Sequence, residues 1–162
     1  MYLPFGYALL AVILAFPATT QQAASADGMT PFDRAVVTPK GELVSPYPNF
    51  KSVAKDGYRA YMRAGCNGCH GGGGGGGMAA PLTNPAWIYG DDDDTLFRVI
   101  VLGTGSLSPG LTFGKFGYRR KSSEAMVGPM PHFGEIIKKD EDVWKIIAWM
   151  RSVHCKQRAT GC

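Results

Sequence analysis

The chain has 162 residues, with 17 Lys and Arg against 13 Asp and Glu and a formal net charge of +4. That length suits one domain with a modest core. So small a charge balance, without interleaved basic and aromatic residues, argues against nucleic acid as a partner. Charged residues make up 19% and glycine reaches 22 residues, so loops should be many and helices few.

Residues 2–16 carry no charge, and Ala24-Ser25-Ala26 offers the small-x-small pattern of a signal peptidase site. Residues 1–26 read as a signal peptide cleaved after Ala26, which places the mature chain in the periplasm with no stable membrane insertion. An uncleaved anchor is the rival reading, because no Lys or Arg precedes the apolar run. That run is shorter than the ~20 residues a spanning helix needs. Residues 27–50 contain Pro31, Pro39, Pro46 and Pro48 with no helical period. They read as an irregular N-terminal arm.

Residues 51–63 form the first expected helix, with Ser52 as cap and Val53, Tyr58, Tyr61 and Met62 as its apolar positions. Gly57 inside it costs roughly 1 kcal/mol relative to Ala, which implies a second helix crossing closely there. The helix runs into Cys66-Asn67-Gly68-Cys69-His70. Two thiols at this spacing add to the vinyl groups of one haem, and the adjacent histidine meets the iron. A zinc half-site needs a second ligand pair, for which only Cys155 and Cys162 remain. A thioredoxin-like redox pair needs a βαβ setting, which this stretch lacks.

Seven consecutive glycines, Gly71 to Gly77, follow the motif. They lack the Lys-Ser/Thr of a phosphate loop and are expected to fold against the porphyrin edge or around the histidine. Pro81, Trp87 and Tyr89 come next, with Trp87 and Tyr89 expected in the cofactor pocket wall. Asp91 to Asp94 precede a second helix that Gly103 closes. Their expected role is capping, and a calcium site is the alternative. Tyr118-Arg119-Arg120-Lys121 is a basic patch, either a solvated face or a guide for a partner.

In Val127-Gly128-Pro129-Met130-Pro131-His132-Phe133, prolines on both sides of Met130 forbid a regular helix. Rigid presentation of a thioether suits a sixth iron ligand. Met126 is the next candidate, then His132, then Met78. The last helix covers residues 140–153, with Asp140 as cap and Val143, Trp144, Ile146, Ile147, Trp149, Met150 and Val153 buried. Residues 155–162 form a tail in which Cys155 and Cys162 are expected to close a small disulfide loop.

This order of features resembles a class I monohaem cytochrome c over residues 51–154. The resemblance implies an all-α fold of three to five helices around one covalent haem c, with no enzymatic activity. It also implies that Gly57 and Tyr61 cross the last helix at Ile146 and Trp149, and that the carbonyl of Pro81 accepts a hydrogen bond from His70. Three runs, Gly65 to Gly72, Pro81 to Arg98 and Val127 to Gly134, are similar to cytochrome c-L. That family accepts electrons from periplasmic quinoprotein methanol dehydrogenases, and the likeness is nearest to the lanthanide-dependent branch. It implies a second cytochrome c or an oxidase as the downstream acceptor, and some members carry calcium near a haem propionate.

The resulting expectation is a one-electron carrier. Cys66 and Cys69 hold the haem, His70 and Met130 ligate iron, and the Gly71–Gly77 loop borders the exposed edge. Histidine–methionine ligation raises the potential relative to bis-histidine. A general c-type shuttle, and a haem enzyme or gas sensor with an open distal site, are the competing readings.

Overall fold

Gly57 determines how closely the first and last long helices meet. In the computed structural model, which describes residues 28–104 and 129–157, a Cβ at this position would lie 1.8 Å from the Lys145 carbonyl oxygen and 2.9 Å from Trp149 Cβ. Only a glycine lets the two backbones touch there. The described residues form five α-helices: α1 (Pro31–Val37), α2 (Ala54–Arg63), α3 (Asn67–His70), α4 (Asp93–Leu102) and α5 (Asp140–Gln157). A 3-10 turn, Phe50–Ser52, leads into α2. No strand occurs among the described residues, and the fold is all-α.

Helix α2 packs along α5. Its buried positions are Gly57, Ala60 and Tyr61, while Tyr58 and Met62 are exposed. The expected apolar face is thus partly wrong: Tyr61 is buried as expected, but Gly57 and Ala60 complete the contact in place of Tyr58 and Met62, because the helix backbones lie so close. Tyr61 stacks on Trp149 with ring centroids 4.1 Å apart. The crossing falls at Lys145 and Trp149 rather than at Ile146 and Trp149. Ser52 does not cap α2. Its hydroxyl donates to the Asn49 carbonyl at 2.7 Å, and Val53 stands at the N-cap without a side-chain bond.

Helix α5 matches its expected apolar character, although Val153 is only half-buried and the helix continues to Gln157, into the expected tail. Val143, Trp144 and the run Ile146, Ile147, Ala148, Trp149 and Met150 are all buried, as befits a helix enclosed on most of its circumference. Asp140 begins the helix and pairs with Arg34 on α1.

The arm departs from its reading as irregular chain. Thr30 and Asp33 form a reciprocal capping box, and Pro31 occupies the first helical turn of α1. Proline is favoured there, because its missing N–H would have no helical partner. Ala35 and Leu43 are buried in the core. Helix α1 packs on α4, and a fully buried arginine secures the join. Arg98 donates to Asp94 through Nε and Nη2, both at 3.0 Å, and to the carbonyls of Ala35, Thr38 (2.8 Å) and Pro39 (3.1 Å). Asp94 also accepts from the Leu43 N–H at 3.3 Å. A buried guanidinium is tolerated only when its donors are met, and here carboxylate and carbonyls meet them.

Candidate functional site

Cys66, Cys69 and His70 occupy the single turn of α3 and the residue before it. Spacings of three and four place all three side chains on one side of that turn. They line a cavity of about 320 Å³ together with Tyr61, Leu82, Trp87, Leu96, Ile100, Met130 and Ile146. Burial pushes the Cys66 thiol up to about 11, and the neighbouring Cys69 adds to the effect. Burial also lowers the His70 pKa, offset in part by its hydrogen bond to Ala80. The imidazole is therefore neutral at neutral pH, with Nδ1–H donated to the Ala80 carbonyl at 2.9 Å. That bond leaves the Nε2 lone pair for a metal.

The acceptor differs from the expected one by a residue: it is Ala80, not Pro81. Ala80 precedes a proline, a position that favours extended backbone, and its carbonyl faces the ring. Pro81 itself lines the cavity. Beyond it, the Leu82 N–H reaches back to the Gly74 carbonyl at 2.8 Å. Trp87 lines the cavity with its Nε1–H donated to the Leu82 carbonyl at 2.8 Å.

The glycine run folds around the histidine and lies behind it. The Gly76 N–H donates to the His70 carbonyl at 2.9 Å, and the Gly71 carbonyl accepts the Tyr61 hydroxyl at 2.6 Å. A Cβ at Gly76 would meet Pro81 Cγ at 2.9 Å with φ at +94°, whereas Gly72, Gly73 and Gly75 have open space around them. None of residues 71–77 is among those lining the cavity. The run thus folds around the histidine, the second of its two expected placements. The loop is drawn inward, toward Leu82, Trp149 and Val153, where Gly74 is buried.

Further lining of the cavity comes from the C-terminal half. Met130 lines the cavity with Pro129, Pro131 and Phe133, whereas His132 is not among the lining residues and has Nε2 3.7 Å from Glu135. Met78 also lines the cavity and is 65% exposed, which marks where the cavity opens. Met126 and the patch at 118–121 lie outside the described residues. Reciprocal hydrogen bonds join the Met130 backbone to Thr104: Thr104 N–H to the Met130 carbonyl at 2.9 Å, and Met130 N–H to Thr104 Oγ1 at 2.8 Å. Phe133 and Gly134 then donate to the last-turn carbonyls of α4, Ile100 (3.1 Å) and Val101 (3.0 Å). Thr104 did not figure among the expected site residues. Its nearest sequence signal is its position just after a helix-closing glycine.

The carboxylates Asp92 to Asp94 have structural partners. Asp92 caps α4 by accepting from Thr95 N–H at 2.8 Å. Asp93 accepts from Arg151 and from Ser45 N–H, both at 2.8 Å, and Asp94 holds Arg98. Among the described residues no group of three His, Cys, Asp or Glu side chains forms a metal site.

A family model for cytochrome c matches residues 54–154. The chain belongs to the cytochrome c family. Members carry covalent haem c and are typically electron carriers rather than enzymes, so haem c is the prosthetic group of this chain. The site fits it: a mostly apolar cavity, paired thiols and a neutral imidazole held by a carbonyl are what a covalently bound porphyrin requires. The match runs from the start of α2 to His154 in α5, so the cytochrome c helices are those that wall the cavity. No curated protein and no solved structure matches the chain. Among the described residues no helix is long and apolar enough to cross a membrane.

Proposed function

We propose that Cys66 and Cys69 hold haem c through thioethers and that His70 and Met130 ligate its iron. In this reading the protein carries single electrons in the periplasm, from a quinoprotein methanol dehydrogenase to a second cytochrome c or an oxidase. One observation carries the ligand assignment: two cysteines, a neutral histidine and a methionine from distant parts of the chain line one apolar cavity. Haem c supplies one-electron exchange at its iron. The chain's own residues orient the imidazole through Ala80, present the thioether between two prolines and exclude water with Leu82, Trp87, Leu96 and Ile100.

The donor assignment rests on the cytochrome c-L likeness of residues 65–72, 81–98 and 127–134. The export assignment rests on residues 1–26, and the Cys155–Cys162 disulfide on both cysteines lying outside the haem motif. Residues 1–26 and Cys162 lie outside the described residues. In this reading the docking centre is the cavity opening around exposed Met78 and its neighbours Ala79 and Ala80, which also line the cavity. Electron-transfer encounters of this kind bury less than ~1,200 Å² and separate quickly.

Mixing the ferric protein with pre-reduced methanol dehydrogenase tests the donor. Reduction should be faster than for an unrelated cytochrome c of similar potential, and its second-order rate should change with ionic strength. Equal rates for the two cytochromes would leave a general shuttle and remove the dedicated acceptor.

A further inference from the structure

Pro129 and Pro131 have no backbone N–H, so within this three-residue stretch Met130 supplies the only donor. That donor goes to the Thr104 hydroxyl at 2.8 Å, and the Met130 carbonyl accepts the Thr104 N–H at 2.9 Å. Thr104 lies directly beyond the cap of α4, and Gly103 makes the approach close. At φ +69°, a Cβ on Gly103 would stand 2.5 Å from the Met130 carbonyl oxygen. Both Thr104 and Met130 line the cavity. The next anchors of this loop, Phe133 and Gly134, come three and four residues later. At Met130 itself, Thr104 holds both the carbonyl and the N–H.

We infer that Thr104 is the positioning residue of the Met130 ligand, and that its hydroxyl sets how readily the thioether leaves iron. The inference rests on Met130 being the axial ligand. Loss of the hydroxyl leaves the Met130 N–H without its acceptor, so the loop should be freer to swing away. A hydroxyl at the same place should restore the wild-type behaviour.

Thr104→Val, which keeps shape and removes the acceptor, and Thr104→Ser, which keeps the acceptor, are compared as ferric holoproteins. The readouts are imidazole affinity, which reports methionine displacement, the far-red methionine charge-transfer band and the midpoint potential. Thr104→Val should bind imidazole about tenfold more tightly or better, the order expected when one amide loses its partner. Its potential should fall, while Thr104→Ser should stay within about twofold of wild type in imidazole affinity. Should Thr104→Val fail to fold, wild-type amide exchange at Met130 takes its place: it should accelerate on saturation with imidazole, and unchanged exchange would overturn the inference. A wild-type protein without the methionine band would instead refute the ligand assignment itself. With that band present, unchanged imidazole affinity in Thr104→Val would overturn the positioning role. An equal fall in melting temperature for both variants, with imidazole affinity unchanged, would do the same and leave Thr104 a structural residue.

Discussion

The two sides of the cavity are held in different ways. On the histidine side the hydrogen bonds are local: Cys66 and His70 share one turn, and the Ala80 carbonyl that orients the ring lies ten residues away. Gly76, which ties the loop to the His70 carbonyl, lies between them. On the methionine side the supports are remote. Thr104 is 26 residues from Met130, and the carbonyls of Ile100 and Val101 belong to α4. Local supports keep their geometry when tertiary packing loosens, whereas remote ones depend on α4 staying in place. The methionine should therefore be the ligand that yields first.

The strongest way to break this contrast is to loosen α4. Arg98→Met removes one member of a buried pair and deprives the Asp94 carboxylate, at 4% exposure, of its guanidinium. The expected loss is about 3–5 kcal/mol in chemical denaturation. If the comparison holds, imidazole affinity of the ferric protein should rise before any change at the histidine, as seen by NMR of the haem-bound ring. Loss of both ligands together would refute it.

Gly103→Ala acts closer to the methionine. It combines a strained φ of +69° with a 2.5 Å clash against the Met130 carbonyl. A cost of roughly 1–3 kcal/mol is expected, together with a weakened far-red band. An unchanged band would show that the methionine loop does not lean on the end of α4. The smallest effects sharpen the histidine side. Gly73→Ala, with open space around it, should alter stability by no more than about 0.5 kcal/mol. Gly76→Ala, at φ +94° and 2.9 Å from the Pro81 ring, should cost about 1–3 kcal/mol. Equal melting temperatures for these two variants would contradict the folded-back loop.

The same contrast explains what could be read from the sequence. The haem motif is contiguous, and α4 announces itself by Asp92 before it and Gly103 after it. The last helix was legible because its apolar residues cover most of its circumference. Helix α1 was obscured by the prolines of its segment, although Thr30, Pro31 and Asp33 carry a capping signature. The burial of Arg98 also had a signal, a lone cation in the apolar run Leu96 to Leu102. Its partners, the carbonyls of Ala35, Thr38 and Pro39, are about 60 residues away and chosen by tertiary packing. Flanking prolines single out Met130, but nothing local names Thr104. The shift from Pro81 to Ala80 is finer still, since it turns on which way one peptide plane faces.

The central claim is the proposal that Met130 completes the ligand set begun by His70. The most direct test is the far-red charge-transfer band of the ferric holoprotein, measured with the midpoint potential in Met130→Ala and Met126→Ala. The account predicts that Met130→Ala loses the band and falls in potential, while Met126→Ala keeps both close to wild type. Loss of the band in Met126→Ala with its retention in Met130→Ala would contradict it.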